Sequence, residues 1–280
     1  MISILFGLGT AVCFAAGGLI NSRLTKIIGP WSTVAWVMLF GLVITLPWVF
    51  LSGIPENLSD SALFLVLAGL GNIGGLILVS FAFRIGKVGV VAPVVATEGA
   101  ISAVIAAVTG ESIAPLVAFL LMAVVVGIVI AAIAPDPAPL HHERPVLAAG
   151  LATAASLFFG IGLFTAGTVS ADLPVAWVLL PARLVGIVAL AIPLAITGRL
   201  LITRRTAPWL MVMSTTEVLG TASFAVGAAA HVGITSVLAS QFAPIAAVMA
   251  YVLFRERLGR LQIAGVSILV VSVTALAIAS

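Results

Sequence analysis

The amino-acid sequence predicts an all-α integral membrane protein of ten transmembrane helices, built as two inverted five-helix repeats. Three observations lead there. The chain of 280 residues is 62% hydrophobic and only 8% charged, with a mean hydropathy of +1.35. A soluble domain is about 45–50% apolar and about 25% charged, so this chain lacks the charge to cover a water-facing surface. The same composition excludes intrinsic disorder. Ten apolar stretches follow one another, each near the roughly 20 residues that a spanning helix needs. The two halves also resemble each other at an offset of 144–145 residues.

The stretches run over 2–21, 31–51, 61–83, 88–108, 114–134, 146–170, 173–197, 208–228, 233–254 and 260–279. The first has no basic segment before it and joins a complete set, so it reads as a retained helix and not a cleaved leader. The second is bounded by Gly29-Pro30 and by Ser52-Gly53-Ile54-Pro55, both turn formers. The third contains Gly69-Leu70-Gly71-Asn72-Ile73-Gly74. That run spells a dinucleotide fingerprint, but no βαβ unit surrounds it, and it reads as close helix packing. The fourth contains Pro93; the fifth follows Gly110-Glu111 and ends at Pro135-Asp136-Pro137. The seventh contains Pro181 and Pro193, and the ninth Pro244, each expected to kink its helix. Most stretches are apolar all round, which suits lipid; barrel strands would alternate in polarity. The expected organisation is a first repeat over 1–134, a linker loop over 135–145 and a second repeat over 146–280.

Lys and Arg mark cytoplasmic loops. Arg23, Lys26, Arg84, Lys87, Arg144, Arg199, Arg204, Arg205, Arg255, Arg257 and Arg260 all follow odd-numbered stretches, and the even-numbered loops hold no basic residue except the neutral-range His231. The odd-to-even loops are therefore expected in the cytoplasm and both termini outside. The sequence pI of about 9.8 is a topology signal and does not point to nucleic acid. One cysteine, Cys13, excludes an intramolecular disulfide and a cysteine-based metal cluster. His141-His142-Glu143 reads as a solvated turn, so neither a metal nor a cofactor is expected. Trp31, Trp48, Trp177 and Trp209 fall near span ends, where tryptophan anchors at the interface.

The repeat rests on Pro30 answering Pro174, Lys87-Val88-Gly89 answering His231-Val232-Gly233, and Gly110-Glu111-Ser112 answering Arg255-Glu256-Arg257. Five helices is an odd number, so the second copy must enter the membrane upside down. Inverted repeats are a secondary-transporter architecture, with the substrate site near the midplane between the halves.

The run Val237-Leu238-Ala239-Ser240-Gln241-Phe242-Ala243-Pro244, followed by Phe254-Arg255-Glu256-Arg257-Leu258 and Gln262-Ile263-Ala264-Gly265, resembles the EamA repeat of the drug/metabolite transporter superfamily. Gly86, Val88-Gly89, Glu98-Gly99 and Gly110-Glu111 form a weaker copy in the first half. Phe159-Gly160 and Arg183 are similar to the Trp-Gly pair and the intramembrane Arg of that repeat. The resemblance covers the whole chain and implies a bacterial inner-membrane carrier of small metabolites, often an exporter, working by alternating access. The first half departs from it with Phe14-Ala15 in place of Trp-Gly and Val37-Met38 in place of the Arg. The resemblance also implies cytoplasmic termini for exporters, against the charge bias.

Three ionisable residues lie inside the stretches: Glu98, Arg183 and Glu217. A charge at a helix centre costs about 2.5–3.5 kcal/mol on insertion scales, so such groups face a cavity or a partner. Glu98 is expected at the middle of the fourth span and Glu217 near the middle of the eighth, where its repeat partner is Asn72. A carboxylic acid exposed alternately to each side is the minimum part for proton coupling. Glu217, with Glu98, is expected to bind a proton or a substrate amino group, or else to hold helices together. Arg183 is expected to pair with one of these acids or to meet a substrate carboxylate. Thr97-Glu98 and Ser240-Gln241 precede Gly99 and Pro244 at matching repeat positions, which adds Thr97, Ser240 and Gln241 to the candidates.

The expected function is secondary active transport of a small organic metabolite, an amino acid or similar amphipathic solute, with export and proton coupling the leading form. Import of a choline-like cationic amine is the alternative. An intramembrane lipid-modifying enzyme is a distant third, because it would need a nucleophile with a base or a metal set. The expected partners are a small-molecule substrate, protons and the lipid bilayer.

Overall fold

The computed structural model describes residues 2–108, 144–254 and 259–279, with isolated positions between 116 and 130. Most of the expected fifth span, nearly all of the 135–145 linker, Gly110-Glu111, His141–Glu143 and Arg255–Arg257 lie outside the described residues. Among those described, every regular element is helical. α1 spans Ile2–Ile28, α2 Pro30–Ser52, α3 Ala62–Ile85, α4 Val88–Val95 and α5 Thr97–Val108. α6 follows over Pro145–Val169, α7 over Val175–Gly186 and α8 over Ile192–Ile196. α9 is Ala207–Ala228, α10 Val232–Ala239, α11 Phe242–Phe254 and α12 Arg260–Ala279.

Among the described residues six helices are long and apolar enough to cross a membrane: Ile2–Ile28, Pro30–Ser52, Ala62–Ile85, Pro145–Val169, Val175–Ile196 and Ala207–Ala228. The chain is a multi-pass membrane protein. Outward-facing Leu5, Val43, Phe50, Leu51 and Val248 are exposed on its flanks, as a lipid solvent requires.

Three spans differ from the sequence expectation. α1 does not stop at 21; it continues to Ile28 and ends only at Gly29, whose φ of 82° suits a residue without a Cβ. The polar residues past position 21 are satisfied within the helix, with the Ser22 hydroxyl donating to the Leu19 carbonyl and Thr25 to that of Asn21. The expected fourth span is two helices, broken at Ala96, so Glu98 sits in the first turn of α5 and not at mid-helix. The expected ninth span is likewise broken, at Ser240-Gln241. Ser240 is four residues before Pro244, and a proline ring clashes with the carbonyl at that distance. The chain answers with tight turns there: Gln241 N–H donates to the Leu238 carbonyl and Ala243 N–H to that of Ser240. In the seventh span Pro193 is accommodated by a single π turn over Ile187–Ala191 that joins α7 to α8.

Helices of the first half pack against helices of the second: α3 along α6, α1 along α9, α2 on α7, α4 on α11 and α5 on α10. Glycine permits the closest crossings. A Cβ added to Gly71 would lie 2.6 Å from the Phe158 carbonyl oxygen and 2.8 Å from the Gly162 Cα, so the α3 and α6 backbones are in direct contact. The Gly69–Gly74 run thus serves helix packing, as its sequence setting suggested. Two clasps join α2 and α7 to opposite loops. The Ser32 hydroxyl donates to the Arg199 carbonyl at 3.2 Å and accepts from Leu201 N–H at 3.1 Å, while the Trp177 indole donates to the Gly53 carbonyl at 2.7 Å.

Candidate functional site

The packing leaves a cavity of about 130 Å³ among α1, α3, α6, α7 and α9, closed at one side by the α4–α5 break and the start of α11. Its lining is mostly apolar and rich in phenylalanine: Phe14, Phe83, Phe159, Phe224 and Phe242. Phe14 and Phe242 meet edge to face at 6.5 Å between centroids. Asn21, Asn72, Glu98, Arg183, Glu217 and Thr221 supply the polar lining.

Arg183 is placed by the second half of α7, two residues after Pro181, and is fully buried. Its Nη2 forms an ion pair with Glu217 Oε2 on α9. Nη1 meets the Met38 thioether on α2 at 3.5 Å. Nε faces Gly41 of the same helix, where an added Cβ would stand 3.1 Å away. Glycine at 41 makes room for the guanidinium, and Met38, at the position where the resemblance expects an arginine, packs against it. The other Glu217 oxygen, Oε1, accepts from Asn72 Nδ2 at 3.4 Å and from the Thr221 hydroxyl at 3.3 Å. Two charges that would each be costly alone in hydrocarbon are thereby compensated. Arg183 Nε and Asn72 Oδ1 are buried with no hydrogen-bond partner among the described residues.

Glu98 is 3% exposed and lines the same cavity from the start of α5. Among the described residues its carboxyl has neither a hydrogen bond nor an ion pair. Of the two acids the sequence offered as partners for Arg183, the arginine takes Glu217 and leaves Glu98 to the cavity.

The structure therefore gathers four of the seven expected site residues: Asn72, Glu98, Arg183 and Glu217. The other three lie elsewhere. The Thr97 hydroxyl donates back across the break to the Val94 carbonyl at 2.8 Å and Ser240 to that of Ser236 at 2.9 Å, both bonding to the turn of backbone before them. Gln241 Nε2 donates to Thr274 on α12 at 3.3 Å. Ser240 and Gln241 line a separate water-sized space of about 10 Å³ between Pro93 and Pro244. Ser240 Oγ also sits against Gly99, where a Cβ could not fit.

Asn21 was not anticipated. It donates to Ser80 Oγ at 3.0 Å and accepts from it at 3.2 Å, a buried pair tying α1 to α3 beside the cavity. The signal available was a lone amide close to a helix end drawn seven residues too early. Among the described residues, no three His, Cys, Asp or Glu side chains come together as a metal site would require.

No curated protein sequence matches the chain. Among solved structures, a crystal structure described only as that of a protein superposes with a TM-score of 0.67 at 16% identity. The match covers 98% of this chain and 96% of the other, and at that identity it shows a shared fold alone. Residues 1–133 match the EamA-like transporter family, so the first half of the chain is similar to transporters of the drug/metabolite superfamily.

Proposed function

We propose that the chain is a secondary active transporter that moves a small organic metabolite across the cytoplasmic membrane by alternating access. The observation that carries this reading is the central cavity, lined from both halves of the chain, with a compensated Arg183–Glu217–Asn72 centre and the unengaged carboxyl of Glu98. Polar groups this deep in a membrane protein mark solute and ion pathways.

The two-repeat organisation, 1–134 and 146–280 around a 135–145 linker, is supported by contacts related through the 145-residue offset. Met38 touches Arg183 and Asn72 touches Glu217, each residue meeting its own counterpart. Gly75 receives the Phe159 ring as Gly220 receives that of Phe14. Gly17 meets Thr216 as Gly162 meets Gly71. Gly53 and Gly198, which end the second and seventh spans, both have φ near +66°. A residue touching its own counterpart lies on the pseudo-twofold axis, so the polar centre is where two inverted repeats would rock against each other. The breaks at Ala96 and Ser240-Gln241, also equivalent, are the natural hinges. Proton coupling through Glu98 completes the proposed cycle, with export of solute as the net direction.

Reconstitution into liposomes tests the reading. Labelled amino acids and amines, offered with and without a pH gradient, are expected to show saturable, selective flux that the gradient accelerates. Lipid turnover without flux would favour an enzyme. Orientation is tested separately, by single cysteines in the 199–205 loop. These are expected to react with impermeant reagents only from the cytoplasmic face; reaction from outside would reverse the topology.

A further inference from the structure

On the reading of the chain as a carrier, we infer that its cavity takes a small organic cation, an amine whose ammonium group meets the Glu98 carboxylate and whose apolar body packs among the phenylalanines. Arg183, the one cation among the described lining residues, is engaged on two of its nitrogens: Nη2 by Glu217 and Nη1 by Met38. Its third, Nε, faces α2 at Gly41. Among the described lining residues a substrate carboxylate would meet only Arg183, with Nη2 and Nη1 taken and Nε against α2. Asn72 has committed its Nδ2 to Glu217 and keeps an unpartnered Oδ1. Asn21 is closed on Ser80 through both donor and acceptor, and Thr221 donates to Glu217.

Among the described residues the groups left over are Arg183 Nε, which lies against α2 at Gly41, and two groups able to accept, the Glu98 carboxyl and Asn72 Oδ1. Their occupant must bring the donors and the positive charge. An ammonium does both, since it carries N–H donors and no acceptor. The walls agree with this. Phenylalanine faces attract cations as well as apolar bodies, and Phe14, Phe83, Phe159 and Phe242 line the same space as Glu98. With Arg183 and Glu217 balancing each other, Glu98 is the group left to serve as counter-charge to a bound cation. The broad expectation of an amino acid or similar solute thus narrows to the amine.

Four probes that share a phenylalkyl body but differ in charge separate the possibilities: phenethylamine, 3-phenylpropionate, phenylalanine and 2-phenylethanol. Each is titrated calorimetrically into the full chain purified in detergent. Phenethylamine is expected to bind at least tenfold more tightly than the other three. Glu98→Gln is expected to weaken phenethylamine at least tenfold while leaving 2-phenylethanol unchanged. Tighter binding of phenylpropionate or phenylalanine, no saturable binding of phenethylamine, or amine binding indifferent to Glu98→Gln would each overturn the inference. Should Glu98→Gln not fold, the ranking of the four probes on the wild-type chain decides alone. Amine that binds with this pattern but never crosses a sealed vesicle membrane would overturn the carrier reading while upholding the charge class of the occupant.

Discussion

Glu217→Ala is expected to destabilise the protein by about 3–5 kcal/mol, the cost of leaving one member of a buried ion pair uncompensated. The stranded group would be Arg183, fully buried with its Nη1 against a thioether and its Nε without a partner. Neither contact can stabilise a cation as a carboxylate does. Unfolding of the detergent-solubilised protein, followed by heat or denaturant, measures the loss. The companion variant is Arg183→Met with Glu217→Leu. Removing both charges and filling the space with apolar groups is expected to recover most of the stability, because the desolvation penalty disappears with the pair. A double variant as unstable as the sum of the two singles would show that the two residues do not act together. Asn72 loses its acceptor in either case, while the Thr221 hydroxyl keeps the Glu217 backbone carbonyl at 2.9 Å, which sets a residual cost of about 1–3 kcal/mol.

Gly71→Val is the second large effect. Forcing extra carbon into a packed interior costs typically about 1–3 kcal/mol, and this site belongs at the upper end. The atoms that a Cβ would meet, the Phe158 carbonyl oxygen and the Gly162 Cα, are both backbone and cannot rotate aside. α3 and α6 would have to separate, opening the cavity wall that Asn72 and Phe159 share. Gly150→Ala, on the same helix α6, provides the control. Nothing lies within 4 Å of a Cβ there, so its effect is expected to be about 0.5 kcal/mol or less. Equal losses at the two positions, measured by the same unfolding assay, would mean that α3 and α6 do not touch as described.

Much of this arrangement is legible in the sequence because a membrane chain can hide little. Each spanning helix must be apolar, so the few exceptions stand out, and Arg183, Glu217 and Asn72, which stand out in this way, line one cavity. Their mutual geometry was half legible. The offset of 145 paired Asn72 with Glu217 by position, and the structure joins them by a hydrogen bond. Sequence alone could not say which acid Arg183 would take, since both lie at suitable depth and only the packing of α7 against α9 decides. Nor could it separate Thr97, Ser240 and Gln241 from the cavity. Their polarity is real, but side chains satisfied by a nearby turn or a neighbouring helix look the same in sequence as side chains offered to a ligand. Proline revealed that the fourth and ninth spans would bend, not that each would come apart into two helices. α1 ran past its expected end because Ser22 and Thr25 bond back to their own helix, which is how Asn21 escaped notice.

The most direct test of alternating access uses the chain's single cysteine. Cys13 lines the central cavity and is partly accessible there, so it reports on the site without any substitution. A small, membrane-impermeant cationic thiosulfonate is applied to right-side-out and to inside-out vesicles, and the rate of modification is followed with and without substrate. Alternating access requires that Cys13 react from both faces and that a saturating substrate move the two rates in opposite directions, as the population shifts between outward- and inward-open forms. Reaction from one face alone under every condition, or two rates that rise and fall together as in an open channel, would contradict it.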